Sequence, residues 1–124
     1  MKGVKLLSIL IIIISITGIM VYVGTKNNTT EPDTVLIQVT SEQFRFIPNK
    51  ITVDFGTDVT LNITSVDVTH GFQIDEFNIL NVVVPAGESV QVNFVANQRG
   101  EFYFYCTVLC GTGHADHIGT LIVE

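Results

Sequence analysis

The stretch "DVTLNIT", from Asp58 to Thr64, decides the fold class of this chain. Its apolar residues Val59, Leu61 and Ile63 alternate with polar residues. A period of two puts the apolar side chains on one face of an extended segment and the polar ones on the other. The stretch therefore predicts a half-buried β-strand.

The same alternation recurs further along the chain. Val90, Val92 and Phe94 alternate with polar residues, and Phe102 and Phe104 point to one side of a second segment. Turn residues in "DFGTD", "PAGES" and "NQRG" separate these segments. Seven or eight short strands without a convincing helix, over about 90 residues, predict an all-β fold, an antiparallel β-sandwich.

A long apolar segment precedes the predicted sandwich. Leu6 to Val23 carries no charge, with Lys2 and Lys5 before it and Lys26 after it. As a helix this segment would span about 27 Å, close to the hydrocarbon thickness of a bilayer. We expect residues 1–24 to form an N-terminal transmembrane helix. The alternative is a cleaved signal peptide, but its apolar core is usually only about 7–15 residues long.

The lysines also predict the orientation of this anchor. Two lysines in front of the apolar segment favour a cytoplasmic N-terminus. The chain would then be a single-pass protein of the cell membrane, with its remaining domain on the extracytoplasmic side. Residues 25–33 are mostly polar and include Pro32, which predicts a linker. Residues 34–124 would form the outer domain.

Charge restricts the partners of the outer domain. Beyond Lys26 there are twelve acidic and three basic residues, a net charge of −9 with histidine neutral. This charge disfavours nucleic acid as a partner because its phosphates would be repelled. An acidic surface is compatible with a basic protein partner, since opposite potentials steer encounter.

Both cysteines and two of the three histidines lie in "CTVLCGTGHADH", from Cys106 to His117. A buried free cysteine or a disulfide is a common use of cysteine in exported proteins. However, a disulfide across so short a loop would gain little entropy. Neither use explains His114 or His117. Thiolate and imidazole ligands suit copper or zinc, and not calcium or magnesium.

A third histidine, His70, stands far upstream in "SVDVTHGF". We expect it at a strand end, where it would supply a ligand from a neighbouring strand. Gly111 and Gly113 would let the loop fold tightly enough for Cys110 and His114 to reach one ion. A structural zinc site would use similar ligands, so the metal is left open between copper and zinc at this point.

"DVTHGF", followed by "CTVLCGTGHADH", resembles the CuA domain of subunit II of heme–copper terminal oxidases. The family pattern is Asp-Val-x-His, then Cys-x-x-x-Cys-Gly-x-x-His-x-x-Met. The resemblance extends through residues 44–72 and 84–106, nearly the whole outer domain. The short chain with one anchor looks most like subunit II of B-family oxidases. The family has the cupredoxin fold, a Greek-key β-sandwich, in agreement with the predicted strands.

The resemblance implies a copper site with two ions. Cys106 and Cys110 would bridge them, and His114 would bind one copper with the backbone carbonyl of Val108 as a weak neighbour. His70 would bind the other copper. The chain departs from the family at position 117, where the family has a weak thioether ligand and this chain has His117.

The role of His117 has three readings. As a ligand it donates more strongly than a thioether, which would stabilise the oxidised site and lower its reduction potential. Alternatively, it is a solvent-facing loop residue. In the third reading, Cys110, His70, His114 and His117 hold a single copper and Cys106 is spare.

Three further residues are weaker candidates. Asp67 is placed to accept a hydrogen bond from His70 and orient it, although aspartate is also a common turn residue. Phe44 and Phe46 occupy the family's aromatic stretch near the face where electrons enter, and core packing is their alternative use.

The resemblance implies an electron-transfer subunit of a cytochrome c oxidase-type complex. It would take electrons from cytochrome c or a blue-copper donor and pass them to the oxidase catalytic subunit I. We expect the chain not to be catalytic alone. One alternative is a stand-alone, membrane-anchored cupredoxin with a single copper, acting as a carrier or a small redox enzyme. A copper chaperone is another. A cysteine hydrolase is disfavoured because no oxyanion site can be named.

Overall fold

Nine β-strands form within residues 30–124, the part of the chain that the computed structural model describes. Two short 3₁₀ turns, Asp75–Phe77 and His114–Asp116, interrupt them. The strands, in chain order, are β1 Thr34–Glu42, β2 Arg45–Ile47, β3 Lys50–Val53, β4 Asp58–Ser65, β5 His70–Ile74, β6 Ile79–Val84, β7 Ser89–Val95, β8 Gly100–Tyr105 and β9 Ile118–Val123.

The strands form two sheets. One has the order β2-β1-β4-β7 and the other the order β3-β9-β8-β5-β6. Residues Pro32–Glu124 form one compact unit. The prediction of an all-β fold is confirmed, with one strand more than the upper estimate.

The expectation of a purely antiparallel sandwich was wrong. β1 pairs with β4 in parallel, and so does β3 with β9, whereas the other pairs are antiparallel. Alternation of apolar residues reports which face of a strand is buried, but it carries no information about strand direction. The mixed pairing was therefore invisible in the pattern used to predict the sheets.

The core lies between the two sheets and follows from the alternation in β4. Val59, Leu61 and Ile63 are each fully buried, and the polar residues between them are only partly buried. The ring of Phe46 packs edge-on against Phe72 at 5.6 Å between centroids. Phe104 contacts the same ring at 5.2 Å. Such edge-to-face aromatic contacts add to the energy of burial itself.

The parallel pairing of β1 with β4 brings their last inward-facing residues to the same end of the sandwich. These residues, Ser41 and Ser65, are direct neighbours in the register, and both are fully buried. His70, the first residue of β5, is also fully buried. The loop between β8 and β9 contains both cysteines. All the predicted metal ligands thus lie on a strand end or on this loop.

The predicted anchor, residues 1–24, lies outside the described residues, as does most of the predicted linker. Among residues 30–124, no helix is long and apolar enough to cross a membrane. The domain boundaries proposed from the sequence stay predictions.

Leu61→Ala should destabilise the protein by about 2–5 kcal/mol, because it removes a fully buried side chain and leaves a cavity between the sheets. Leu36→Ala is the matched control. It changes the same residue type on the neighbouring strand, where the side chain is 57% exposed, and should shift stability by about 0.5 kcal/mol or less. Denaturant unfolding followed by circular dichroism measures both. Equal losses would contradict the assignment of Leu61 to the core.

Candidate metal centre

The segment Cys106 to His117 is a hairpin loop closed at its base. The strands on either side pair as far as Tyr105 and Ile118. The backbone N–H of Cys106 then donates to the carbonyl of His117 at 3.1 Å. The first and last residues of the loop are therefore neighbours in space. This closure explains why a twelve-residue run begins with a cysteine and ends with a histidine that share one site.

Four buried side chains converge at this end of the sandwich: His70, Cys106, Cys110 and His117. One ligand atom from each lies within 4.8 Å of every other. The two sulfur atoms are 3.7 Å apart, and both cysteines are free. A disulfide needs a separation of about 2.05 Å, so the sulfurs are close without being bonded.

The sulfur separation fits a metal centre. Two sulfurs bound to one ion at about 2.3 Å, with a tetrahedral angle between them, would lie about 3.8 Å apart. The nitrogens lie at similar range: His70 Nδ1 is 3.9 Å from Cys106 Sγ, and His117 Nδ1 is 3.8 Å from Cys110 Sγ. This set of two sulfurs and two nitrogens matches the preferences of copper and zinc.

Two further donors border the sulfur pair. His114 Nδ1 lies 3.5 Å from Cys110 Sγ, and the carbonyl oxygen of Val108 lies 3.1 Å from Cys106 Sγ. His114 is half-buried, unlike the four converging ligands. All six residues predicted from the sequence as ligands thus lie together: the two cysteines, and four residues whose donor atoms border their sulfurs. The predicted single-copper set contained His114 and left out Cys106. In the structure, the closest group of four contains Cys106 and leaves out His114.

His70 is oriented by the loop in front of β5. Its Nε2 lies 2.7 Å from the Oδ1 of Asp67, which leaves Nδ1 facing the sulfurs. Hydrogen bonds from the backbone N–H groups of Gln43 and Val68 also reach the Asp67 carboxylate. Burial alone would raise its pKa, but these bonds and His70 lower the pKa of Asp67 below its usual value. Asp67 is therefore a carboxylate that can fix the ring of His70.

His117 is fully buried, so it is not a solvent-facing loop residue. It directly precedes β9, in which Gly119, Leu121 and Val123 face inward, and it shares their parity. The ring of Phe46 packs against it at 4.2 Å, and His70 approaches edge-on at 4.8 Å. Its Nε2 lies 3.2 Å from Ser41 Oγ.

Burial sets the protonation of the site in the absence of metal. It lowers the pKa of His117 to about 4, helped by the neighbouring His70. Burial, together with Cys106, raises the pKa of Cys110 to about 11. At neutral pH the imidazole of His117 is neutral and free to ligate, whereas Cys110 is a thiol. A metal ion must displace that proton, so binding releases protons.

One residue ties the two ligand segments together. The backbone N–H of Gln43, in the turn between β1 and β2, donates to Asp67 Oδ2 at 2.7 Å. The Gln43 side-chain amide donates to the carbonyl oxygen of Cys110 at 2.6 Å. A single residue thus contacts the segment that carries His70 and the loop that carries the cysteines.

The two predicted aromatic candidates occupy different places. Phe46 is only 1% exposed and belongs to the core, next to His117. Phe44 is half-buried and lies over the loop, where a Cβ on Gly113 would come within 2.4 Å of its ring. Gly111 has a φ of +140° and the same ring beside it. Glycine at both positions lets the loop pass under Phe44. A role for either phenylalanine where electrons enter stays a prediction.

Three residues of the site were missed by sequence reasoning: Ser41, Gln43 and Gly71. Ser41 could have been found from the sequence. It is a polar residue on the face of β1 whose other residues are apolar and point inward. Gly71 donates its backbone N–H to Cys106 Sγ at 3.3 Å, and Gln43 acts through contacts remote in sequence. Neither has a local pattern that could reveal it.

Comparison with known proteins agrees with this geometry. The model of the cupredoxin-like domain family matches residues 11–123. Cytochrome c oxidase subunit 2 of Thermus thermophilus is 37% identical over 95 residues, which cover 77% of this chain and 70% of that protein. A nitrous-oxide reductase of Cupriavidus necator is 35% identical over 94 residues, 73% of this chain but only 14% of the enzyme.

Among solved structures, the periplasmic domain of subunit II of cytochrome oxidase (CoxB) of Bradyrhizobium japonicum has a TM-score of 0.65 at 21% identity, covering 73% of this chain and 83% of that one. At this identity the likeness shows the fold. The chain therefore belongs to the cupredoxin-like family. Within that family it is a homologue of cytochrome c oxidase subunit 2, and the resemblance found in the sequence is confirmed.

Acid should destabilise the metal-free protein through His117. Between pH about 6.5 and about 4 the unfolded chain protonates this residue and the folded chain does not. Stability should therefore fall as pH falls through this range, by about 3 kcal/mol in total, and should not change through His117 above it. Denaturant unfolding at several pH values measures the slope. His117→Leu should flatten it, and an unchanged slope in that variant would contradict the assignment.

Gly71→Ala should weaken metal binding. A Cβ at this position would lie 2.6 Å from the backbone nitrogen of Val108 and 2.7 Å from that of Thr107, so the cysteine loop must move. We expect a loss of metal affinity of roughly tenfold or more, as for other changes that displace ligands indirectly. Competition with a chelator measures it. Thr69→Ala, nearby in the same segment, adds no atom against the loop and should retain affinity.

Proposed function

We propose that this chain is the electron-transfer subunit II of a heme–copper terminal oxidase, with a dinuclear copper centre of the CuA type. The observation that carries the proposal is the surplus of donors around the sulfur pair. A single tetrahedral ion takes four ligands, whereas six candidate donors are gathered here. They are the two thiolates and four donors around them: His70, His117, His114 and the carbonyl of Val108. Two ions that share both thiolates would use all six.

The ligand set divides naturally between two ions. His70 and His117 lie together on the buried side, with their rings 4.8 Å apart, and would serve one ion. His114 and the Val108 carbonyl border the sulfur pair separately and would serve the other. Two ions held by both thiolates would share the charge of one transferred electron, and the rearrangement that accompanies each transfer would then be small.

The protein's own contribution is to hold these ligands still. Asp67 fixes the ring of His70, and Gln43 joins the two ligand segments. The hydrogen bond between Cys106 and His117 closes the loop. Preorganised ligands and a buried site limit both solvent access and ligand motion.

The partners follow from the same homology. A subunit 2 homologue would deliver electrons to the oxidase catalytic subunit I. The donor would be cytochrome c or a blue-copper protein on the extracytoplasmic side. The net charge of −9 beyond Lys26 favours a basic donor, since opposite charges speed encounter. The apolar segment within residues 1–24 would anchor the chain in the cell membrane.

A second candidate is a stand-alone cupredoxin with one copper, and one observation favours it. The four buried ligands His70, Cys106, Cys110 and His117 form the tightest group and could complete one ion by themselves. In this case His117 takes a full ligand position and His114 is spare.

Copper loading of the wild-type protein tests the number of ions. The dinuclear proposal expects two coppers per chain, with a spin-resonance hyperfine pattern from two equivalent nuclei. One copper per chain at saturating metal, with hyperfine structure from a single nucleus, would refute it and favour the second candidate.

His117→Met distinguishes the two candidates through the ligand itself. In a dinuclear centre it should raise the reduction potential and retain two coppers, because a thioether donates less than an imidazole. In a single-copper site it should give a blue centre with one copper. His117→Leu is the control, since it removes the imidazole without adding a donor. A potential that is unchanged in both variants would show that His117 is not a ligand.

A further inference from the structure

Ser41 is a polar residue at a position where the chain otherwise places apolar ones. Val35, Ile37 and Val39 precede it on the inward face of β1. Ser41 itself is fully buried. Placing a hydroxyl there costs free energy unless it finds a hydrogen-bond partner. Its side-chain partner is His117, whose Nε2 lies 3.2 Å from Ser41 Oγ.

This contact bears on which nitrogen of His117 can ligate. A neutral imidazole has one N–H donor and one acceptor nitrogen. The Nδ1 of His117 faces Cys110 Sγ at 3.8 Å. Nδ1 has a lone pair for a metal only when the proton is on Nε2. In the opposite tautomer, an N–H would point at the sulfur pair and exclude a metal from that side.

The other neighbours of the ring fix its plane. Phe46 and His70 pack against it at 4.2 and 4.8 Å between centroids. The face of Phe46 does not select a protonated nitrogen. Of the side chains that contact the ring, Ser41 is the one within hydrogen-bond distance of Nε2.

We propose that Ser41 is a positioning residue for the metal centre: its hydroxyl accepts a hydrogen bond from Nε2–H of His117 and so presents the Nδ1 lone pair to the sulfur pair. The inference rests on the proposed function only in taking His117 as a ligand. It does not depend on whether one or two coppers bind. Residues that orient a ligating histidine through its second nitrogen are a general feature of metal sites.

The tautomer can be measured without metal, by nitrogen-15 NMR of the histidine rings in the full-length protein. In the wild type, His117 should carry its proton on Nε2. In Ser41→Ala, the fraction protonated on Nε2 should fall, and the remaining ring N–H should exchange with water roughly tenfold faster or more, because it has lost a buried partner. A wild-type ring protonated on Nδ1, or an unchanged ring in Ser41→Ala, would overturn the proposal.

Two variants separate positioning from general stability. Ser65→Ala removes another fully buried serine, the register neighbour of Ser41. Its hydroxyl donates to the carbonyl of Val68 and not to a ligating ring. It should lower stability and leave the His117 tautomer unchanged. Ser41→Thr keeps the hydroxyl and should retain the wild-type tautomer. A change in Ser65→Ala equal to that in Ser41→Ala would overturn the proposal.

A double-mutant cycle on the copper-loaded protein provides the second readout. Ser41→Ala should shift the reduction potential and visible spectrum, and should weaken copper retention against a chelator by roughly tenfold. In a His117→Met background the same change should have no effect, because a thioether has no second nitrogen to orient. Equal effects in both backgrounds would overturn the proposal. Copper loading could give one ion per chain while Ser41→Ala still has an effect only when His117 is present. That result would refute the dinuclear centre and leave the role of Ser41 standing.

Discussion

The sulfur atoms of Cys106 and Cys110 lie 3.7 Å apart without a bond between them. The structure of the surrounding loop depends on keeping them in this arrangement. Thiols so close would tend to form a disulfide under oxidising conditions, and a metal ion or a rigid loop keeps them available as ligands. The loop provides that rigidity. It is closed by the hydrogen bond from Cys106 to His117, passes under Phe44 at its glycines, and is tied by Gln43 to the neighbouring segment.

Keeping five candidate ligand side chains in or beside a hydrophobic core has a free-energy cost, which the site offsets by hydrogen bonding. Within residues 30–124, every buried side-chain nitrogen and oxygen has a partner. Asp67 serves His70, and Ser41 serves His117. Each of these two histidines therefore has one nitrogen occupied by the protein and one directed at the sulfurs. Because the Nε2 atom of each ring has a hydrogen-bond partner, both rings are oriented before a metal binds.

The sequence revealed the class of the fold and most of the residues that converge at the candidate metal centre, because these leave local signals. Alternation in β4 located the core, and the cysteine and histidine spacing located the loop. The direction of β1 relative to β4 was missed, since side-chain periodicity is the same in parallel and antiparallel pairs. Gln43 and Gly71 were missed because their roles depend on contacts across the fold. Ser41 could have been found as a polar residue on an apolar face.

The parallel pairing of β1 with β4 also gives the domain a polarity. Both strands start at one end of the sandwich and reach the candidate metal centre at the other. The seven residue-to-residue steps of extended strand from Thr34 to Ser41 span about 23 Å. A probe or fusion joined near Thr34 would therefore be remote from the sulfurs, separated from them by the length of the core. The candidate metal centre and the first residues of β1 and β4 therefore lie at opposite ends of the same two strands.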